Sequence, residues 1–282
     1  MGAAEKVTGI SDLIKIENTL FVLPFVYIGM IYAVGFVLIT FILITIALVC
    51  ARGAAFAANR YIGRDYDIKN PKKKAWKSMV YSKNELLAIF FIFALIFVIS
   101  AYLLNNLALV LSPLILFLII SEPFAKRYTV HRHFIMGFVI GLGIIGGYIG
   151  GAGAFPTTLP LYILFIGYAL YSGANDIIYS LNHVEFDKKN NLKTYPVKYG
   201  IKSSIRYSHY AHFIAGLLFV LFGVLSSSLV IAVGGAFATI LMLAEHHYLD
   251  YKKEKTVAIS FFAFNVAVSL IMLLSVLISN FL

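Results

Sequence analysis

Two stretches of the chain combine acidic and amide side chains with nearby lysines and arginines. The first reads NRYIGRDYDIKNPKKK from Asn59, and the second reads NDIIYSLNHVEFDKKNN from Asn175. Carboxylate and amide oxygens without thiolates suit a hard cation such as Mg²⁺, which proteins commonly hold with few carboxylates plus substrate phosphates. Lysine and arginine beside such a metal would bind the same phosphates. The residue types therefore indicate a site for a metal ion and a diphosphate.

Helical spacing gathers the polar residues of each stretch onto one side of a helix, at about 100° per residue. The two polar stripes consist of Arg52, Phe56, Asn59, Gly63 and Asp67 in the first helix, and of Asp176, Ser180, His183 and Asp187 in the second. On a continuous helix Asp176 and Asp187 would lie about 16 Å apart. They can share one ion only if the helix is interrupted. Otherwise two ions are bound, or one carboxylate does not contact a metal.

The elements that position these residues are predicted to span a membrane. Hydrophobic residues make up 61% of the 282 positions and charged residues 13%, more apolar surface than a soluble domain of this size can bury. A spanning helix needs about 20 apolar residues. We expect about nine such helices, at approximately 19–34, 36–59, 85–104, 107–121, 134–153, 161–182, 208–226, 229–247 and 257–280.

The basic residues are concentrated in alternate connections between these helices. Of 23 lysines and arginines, only Arg52 lies inside a predicted span, whereas the connections near Gly35, 105–106, 155–160 and 226–228 contain none. By the positive-inside rule, the basic connections and the N-terminus are cytoplasmic, and an odd number of spans places the C-terminus outside. The net charge of +10 therefore reflects membrane topology and a phosphate-bearing ligand rather than a nucleic-acid partner.

The two acidic stretches lie four predicted spans apart, and each is followed by a long basic loop. This repetition suggests one polytopic domain over residues 1–282, built from two related halves at about 1–130 and 131–282. The halves would meet at a central cavity that opens to the cytoplasmic side. Independent origin of two polar helix ends is the alternative explanation.

Several residues have a purely structural interpretation beside the functional one. Asp65 lies off the first stripe, so we expect it to pair with a neighbouring arginine, with direct metal binding as the alternative. His183 is either a hydrogen-bonded polar residue or a ligand. Glu245, near the end of the eighth span, is either interfacial or functional. The glycine run over 141–153 favours close helix packing over ligand binding.

Six segments, taken in order, are similar to one known family. They are IKIENTLFVLPFVYIG from Ile14, ARGAAFAANRYIGRDYDIKNP from Ala51, AKRYTVHRHFIMG from Ala125, NDIIYSLNHVEFDKKNNLKTYPVKYG from Asn175, AEHHYLD from Ala244 and FFAFNVAVS from Phe261. The chain resembles the UbiA superfamily of intramembrane prenyltransferases, especially the 4-hydroxybenzoate and dihydroxynaphthoate polyprenyltransferase-like branch. That resemblance implies an all-α membrane fold of nine helices around a cavity open to the cytoplasmic side.

The resemblance also implies an activity, the Mg²⁺-dependent transfer of an isoprenyl group from a prenyl diphosphate to an electron-rich, aromatic acceptor. The product would be a quinone precursor or a related isoprenoid lipid in the bilayer. The implied catalytic residues are Asp67, Asp176, Asp187, Lys126 and Arg127. The implied metal ligands are Asn59, Asp67, Asp176 and Asp187, with Asp65 and His183 as further candidates. The implied substrate-binding residues are Glu17, Asn18, Arg52, Asn59, Arg60, Arg64, Lys126, Arg127, Tyr179 and Lys198.

The chain departs from the family pattern at several of its motif positions. Gly63 stands where the first motif carries an aspartate, His183 replaces the middle aspartate of the second, and Glu122 replaces a tyrosine before the Lys-Arg pair. Either His183, Asp65 or Glu185 compensates, or one metal is used, or the acceptor differs, or activity is lost. The alternative function is therefore a homologue that binds isoprenoid diphosphates or lipids without transfer. A secondary transporter is a third possibility, disfavoured because only one face is charged. Acceptor, prenyl length and oligomeric state are left open by the sequence.

Overall fold

The computed structural model is helical, and no strand occurs in the residues it describes, which are 9–10, 12–13, 15–68 and 81–281. Within those ranges the side chains of residues 16, 17, 66, 254 and 281 are not described. The helices are α1 (Leu23–Val34), α2 (Leu38–Asp67), α3 (Lys83–Leu104), α4 (Asn106–Tyr128), α5 (Arg132–Ala152), α6 (Leu159–Ser180), α7 (Val184–Lys189), α8 (Tyr195–Tyr199), α9 (Ile201–Leu225), α10 (Leu229–Tyr248), α11 (Glu254–Ile259) and α12 (Asn265–Phe281). Two 3₁₀ turns lie at Ile16–Thr19 and Leu181–His183, and a π-helical turn, Ser260–Phe264, joins α11 to α12.

Eight helical segments among the described residues are long and apolar enough to cross a membrane. This confirms the prediction of an all-α, multi-pass membrane protein. The first predicted span corresponds to α1, whose 12 residues are fewer than the roughly 20 that cross a bilayer. The count of nine spans and the central cavity therefore stay predictions.

Large apolar side chains remain exposed along the spanning helices, as expected where the surrounding solvent is hydrocarbon. Val110 and Phe117 on α4 are 71% and 65% exposed, and Leu95 on α3 is 61% exposed. Such exposure would be costly in water, whereas lipid tails solvate these side chains without that cost.

The contacts divide the chain into two compact units. The first unit contains the described residues up to Leu20 together with Val37–Phe124, and the second contains Phe21–Phe36 and Ala125–Leu282. The division falls inside α4. In the first unit α2 packs on α3 through small residues, including Ala54 and Ala57, which are fully buried.

The core of the second unit lies among α1, α5, α6, α9, α10 and α12. The ring of Phe25 stacks on that of Tyr168 with a centroid separation of 3.9 Å, and Phe219 packs beside Phe25 at 5.6 Å. Phe25 is fully buried among these rings, so it belongs to the core of this unit.

Glycine allows α1 and α5 to approach closely within the second unit. A Cβ atom on Gly147 would overlap the carbonyl oxygen of Val26, and one on Gly29 would overlap the carbonyl oxygen of Ile144. The overlapped atoms are backbone atoms, which cannot move aside as a flexible side chain can. This contact confirms the packing role predicted for the glycine run.

We expect the Gly147→Ala variant to be less stable than the wild type by about 1–3 kcal/mol, because the added methyl forces α1 and α5 apart. The matched control is Gly146→Ala, one residue earlier on the same helix, where an added Cβ meets nothing within 4 Å. Thermal unfolding in detergent would measure both. Equal melting temperatures for the two variants would contradict this explanation of the packing.

Candidate active site

The acidic end of α2, in the first unit, contains a buried ion pair. Arg60 Nη1 lies 2.7 Å from Asp67 Oδ2, and the two side chains are 8% and 4% exposed. Residues seven positions apart lie two turns apart on one side of a helix, which brings this pair together. The pairing offsets the cost of burying each charge. The polar stripe predicted Asp67 as a ligand, but it did not predict Arg60 as its partner.

Three other predicted residues lie on the same helix and are half-buried: Arg52, Asn59 and Arg64. The guanidinium carbon of Arg52 lies 5.3 Å from the centre of the Phe56 ring, which is within range for a cation–π interaction. Arg52 and Phe56 are consecutive members of the predicted stripe, so the structure confirms that these two share a helix face.

Asp65 lies on the exposed side of the end of α2, whereas Asp67 is buried. Its side chain is 74% exposed, and its carboxylate forms an ion pair of 3.2 Å with Lys83 at the start of α3. The expectation of an arginine partner was therefore wrong. Lys83 fills that role because the start of α3 brings its ammonium group within reach of this carboxylate. An exposed pair of this kind contributes at most about 1 kcal/mol.

The two predicted acceptor-contacting residues lie in the 3₁₀ turn Ile16–Thr19. Asn18 is half-buried, and its backbone N–H donates to the carbonyl of Lys15 at 2.8 Å. The side chain of Glu17 lies outside the described residues, so its contact with an acceptor stays a prediction.

Asp176, in the second unit, is held by two donors from the start of α5. Arg132 Nη2 and His133 Nδ1 both lie 2.6 Å from the same carboxylate oxygen, Oδ2. Asp176 is 7% exposed and His133 is fully buried. The ion pair with Arg132 and the hydrogen bond from His133 both go to Oδ2, so the carboxylate is held in one orientation by α5.

The imidazole of His133 is oriented by the backbone on its other side. The N–H of Tyr195 donates to His133 Nε2 at 3.4 Å, so Nδ1 carries the proton that is donated to Asp176. The Tyr195 hydroxyl lies 3.2 Å from Nδ1 of His131. Burial first, then the neighbouring Tyr199 and Tyr207, raises the pKa of Tyr195 above its usual value, so this hydroxyl stays protonated near neutral pH. Asp176, His133 and α8 thus form one connected polar network.

Arg132 and His133 were not among the predicted site residues. Both belong to the segment AKRYTVHRHFIMG, whose Lys-Arg pair was the part assigned a role. A signal was present in the sequence, because His131, Arg132 and His133 place three polar groups at the start of an apolar helix. Helical spacing alone does not show that Arg132 and His133 reach Asp176, because Asp176 lies 44 residues beyond Arg132 in the chain.

The Lys-Arg pair at the end of α4 meets the loop that follows the second acidic motif. The backbone N–H of Lys193 donates to the carbonyl of Lys126 at 2.8 Å, and the Lys193 ammonium group donates to the carbonyl of Tyr128 at 3.1 Å. Lys126 and Arg127 are half-buried. Leu192 N–H donates to the carbonyl of Asp187, which ties the same loop to the motif. The structure therefore brings the Lys-Arg pair and the Asp187 segment together.

The helix that carries the second motif is interrupted between its two aspartates. α6 ends at Ser180, a 3₁₀ turn follows at Leu181–His183, and Asp187 lies in the short helix α7 with 8% exposure. The two carboxylates are therefore not on one continuous α-helix. Glu185, in the same short helix, is exposed.

The remaining predicted residues of the second unit differ in their burial. Tyr179 and His183 are half-buried, and their rings make an edge contact with a centroid separation of 5.5 Å. Lys198 is exposed, and its ammonium group lies 5.0 Å from the centre of the Tyr199 ring. The structure thus brings Tyr179 and His183 together, and it gives Lys198 a surface position.

The donor set is suited to a metal only when a substrate supplies further ligands. Asp67, Asp176 and Asp187 are buried carboxylates, the oxygen donors that Mg²⁺ prefers. Among the described residues, however, no three or more His, Cys, Asp or Glu side chains form a group able to hold a metal ion. Carboxylates of this kind would fit Mg²⁺ if substrate phosphates supply its further oxygen ligands.

Sequence comparison with known proteins gives a consistent set of relatives. The profile of the UbiA prenyltransferase family matches residues 22–269. The 4-hydroxybenzoate octaprenyltransferase of Photobacterium profundum is 28% identical over 166 residues, which cover 58% of this chain and 56% of that protein. The enzyme of the same name from Neisseria gonorrhoeae (strain ATCC 700825 / FA 1090) is 28% identical over 158 residues, covering 55% and 53%. The chain thus spans little more than half the length of the curated relatives it matches.

Solved structures extend the similarity over nearly the whole chain. The apo structure of a UbiA homolog from Aeropyrum pernix K1 has a TM-score of 0.81 and 28% identity, covering 94% of this chain and 98% of that one. A UbiA homolog from Archaeoglobus fulgidus bound to GPP and Mg²⁺ shares the fold, with a TM-score of 0.72, 16% identity and coverage of 94% and 99%. The family match covers most of the chain, and the helical fold agrees with it. This chain belongs to the UbiA prenyltransferase family.

Proposed function

We propose that the protein is a Mg²⁺-dependent prenyltransferase that moves an isoprenyl group from a prenyl diphosphate to an aromatic acceptor in the membrane. The observation that carries the proposal is the second acidic motif. There Arg132 and His133 orient the Asp176 carboxylate, and the Asp187 loop is bound to the backbone of the Lys126–Arg127 segment. A buried carboxylate paired with an arginine, and a second acidic segment bound beside a Lys-Arg pair, are suited to binding a metal diphosphate, whereas packing of helices in lipid requires neither.

In this proposal the chain's polar residues bind and orient the diphosphate. Asp67, Asp176 and Asp187, with Asn59, would hold the metal through their side-chain oxygens, and Arg132 and His133 orient the Asp176 carboxylate by donating to its Oδ2. Mg²⁺, when bound, neutralises the charge that develops on the leaving diphosphate. The basic residues proposed to contact the phosphate oxygens are Arg52, Arg60, Arg64, Lys126, Arg127 and Lys198.

The bond between the isoprenyl carbon and the diphosphate oxygen breaks, and its electron pair leaves with the diphosphate. The allylic cation that remains requires a site without water, which closely packed apolar helices provide. An electron-rich ring carbon of the acceptor then forms the new carbon–carbon bond, and the ring loses a proton. Glu17 and Asn18 are proposed to contact this acceptor, and Tyr179 the isoprenyl substrate.

The relatives support the substrate classes. Two of them are named for octaprenyl transfer to 4-hydroxybenzoate, and a structural neighbour binds GPP with Mg²⁺. The distribution of lysine and arginine supports an active site on the cytoplasmic face, with the N-terminus on that side and the C-terminus outside. We propose no nucleic-acid partner, because the basic residues lie in short loops that also carry carboxylates.

Label transfer would test the function directly. Purified protein in lipid nanodiscs, with Mg²⁺ and a radiolabelled prenyl diphosphate, should transfer label to at least one member of a panel of aromatic acids. Removal of Mg²⁺ with EDTA should stop the transfer, and restored Mg²⁺ should recover it. Neither label transfer nor diphosphate release with any acceptor would refute the proposal.

A second candidate function is isoprenoid diphosphate binding without transfer. It is favoured by one observation: Asp65 and Glu185, two of the candidates to replace the missing motif carboxylates, are both exposed. This alternative predicts that a prenyl diphosphate raises the melting temperature equally with and without Mg²⁺, and that the diphosphate bond stays intact. Hydrolytic or transfer-linked release of diphosphate would exclude it.

A further inference from the structure

A buried carboxylate outside the two acidic motifs has no part in the proposed mechanism. Glu245, on α10 in the second unit, is fully buried within a spanning helix. An ionisable side chain at such a position costs about 3 kcal/mol or more unless it has partners, and it is commonly functional. Its carboxylate Oε1 accepts from the hydroxyl of Ser260 at 2.5 Å, and Oε2 lies 3.7 Å from Nδ1 of His212 on α9. The carboxylate therefore holds Ser260.

Ser260 is the first residue of the π-helical turn, Ser260–Phe264. A π-helical turn replaces the usual i→i−4 backbone hydrogen bonds with i→i−5 bonds. Such turns are rare, and they frequently occur at functional sites. Here the turn interrupts an otherwise apolar spanning segment. At its first residue the turn is held by the hydrogen bond from Ser260 to Glu245.

Asn265, directly after the turn, holds it at the other end. Its Nδ2 donates to the carbonyl of Phe261 inside the turn at 2.5 Å, and its Oδ1 accepts from Nδ2 of Asn175 on α6 at 3.1 Å. Asn265 and Asn175 are 3% and 2% exposed. Because hydrogen bonds in an apolar interior have no competing water, this amide pair fixes the position of α6 relative to the turn.

The turn also contacts α6 through an aromatic ring. Phe261 lies 4.9 Å from Tyr179 between ring centres, and Phe21 packs edge-on against Phe261 at 5.7 Å. Asn175 and Tyr179 are four residues apart and lie on one side of α6, with Asp176 between them in sequence. Asn265 and Phe261 thus contact α6 immediately before Asp176 and again three residues after it.

We infer that Asn265 is a positioning residue: it holds the π-helical turn against α6, while Ser260 and Glu245 hold the same turn against α10, and this clamp of three residues sets the place of Asp176. The inference rests on the proposed function of Asp176 in holding a diphosphate. The clamp does not touch the substrate. It restrains α6 at the level of Asp176, while Arg132 and His133 hold the carboxylate from the side of α5.

The first test measures the clamp without any ligand. Hydrogen–deuterium exchange in nanodiscs should show at least fivefold faster exchange across 176–187 in Asn265→Ala and in Ser260→Ala than in the wild type. The matched control is Ser269→Ala, on the same segment. Ser269 is also fully buried, but its hydroxyl donates to a carbonyl of its own helix. The control should leave that exchange unchanged. Equal exchange in all four proteins would overturn the clamp.

The second test measures what the clamp does for the site. Asn265→Ala should weaken binding of inorganic pyrophosphate with Mg²⁺ about tenfold, and Ser269→Ala by less than about twofold. In an Asp176→Asn background, Asn265→Ala should cause no further loss, because it acts through Asp176. A full tenfold loss in that background, or a lowered melting temperature with unchanged affinity, would overturn the positioning role.

Conservative replacement keeps the result interpretable if the alanine variants fold poorly. Glu245→Gln preserves an acceptor for the Ser260 hydroxyl, so its pyrophosphate affinity should stay within about twofold of wild type. A tenfold loss in Glu245→Gln would show that the charge matters rather than the clamp. A wild-type protein that binds no pyrophosphate would refute the proposed function, whereas the exchange experiment would still decide whether the clamp exists.

Discussion

Replacing Asp67 or Asp187 by asparagine is expected to slow diphosphate release by about 100-fold to 1,000-fold, the loss typical of removing one group that stabilises developing charge. Both carboxylates are almost fully buried, at 3% and 8% exposure, and both lie in helices that also carry basic residues. An asparagine side chain keeps the shape but removes the charge that the metal requires. Release of labelled diphosphate at saturating Mg²⁺ measures the effect.

Each of these variants has a matched control two residues away. Asp65→Asn and Glu185→Gln remove exposed carboxylates from the same helix ends, and we expect rates within about twofold of the wild type. Comparing each variant with its control also shows whether Asp65 or Glu185 compensates for a missing motif carboxylate, which the sequence left open. If Asp65→Asn or Glu185→Gln is as damaging as its buried neighbour, the exposed residue compensates for a missing motif carboxylate, and our ligand set is wrong.

Replacing Asp176 by alanine is expected to destabilise the protein by about 3–5 kcal/mol, the loss typical of removing one partner of a buried ion pair, because Arg132 loses its ion pair with this carboxylate. The side chain of Arg132 is 17% exposed and that of Asp176 is 10% exposed, so water can compensate little. The loss should appear as a lower melting temperature in detergent. His133 also loses its acceptor, which adds to the cost.

A double variant separates the stability of this network from its chemistry. Asp176→Leu combined with Arg132→Met removes both charges, and replacing a buried ion pair by apolar residues is often close to neutral. We expect the double variant to regain most of the lost stability but no diphosphate release. Recovery of release would show that Asp176 is structural only. A melting temperature as low as that of Asp176→Ala would show that the ion pair is not the source of the loss.

The helical membrane fold was predictable because it depends on local composition. Runs of about 20 apolar residues and the bias of lysine and arginine to alternate loops are properties of neighbouring residues. They identified eight of the spans, with ends that differ from the structure by up to seven residues. The short helix Leu23–Val34 shows the limit of this reasoning. Residues 19–22 were predicted to extend this span, but a 3₁₀ turn ends at Thr19 and the α-helix begins only at Leu23, and hydropathy does not record backbone conformation.

The site was predictable only where spacing along one helix decides the geometry. Arg52 and Phe56 meet because they are one turn apart, and Asp67 is buried as its stripe required. The partners of the acidic residues depend on distant segments. Arg132 and His133 reach Asp176 from another helix, and Lys83 rather than an arginine pairs with Asp65. No periodicity in one sequence reports such contacts.

The central claim is that the chain's buried carboxylates bind a prenyl diphosphate through Mg²⁺. Native mass spectrometry of the protein released from detergent, with geranyl diphosphate and Mg²⁺, tests this most directly because it counts both ligands at once. We predict a complex containing one geranyl diphosphate with one or two Mg²⁺, which is lost with EDTA and in Asp187→Asn. Geranyl diphosphate bound equally without Mg²⁺, or retained in Asp187→Asn, would contradict the claim.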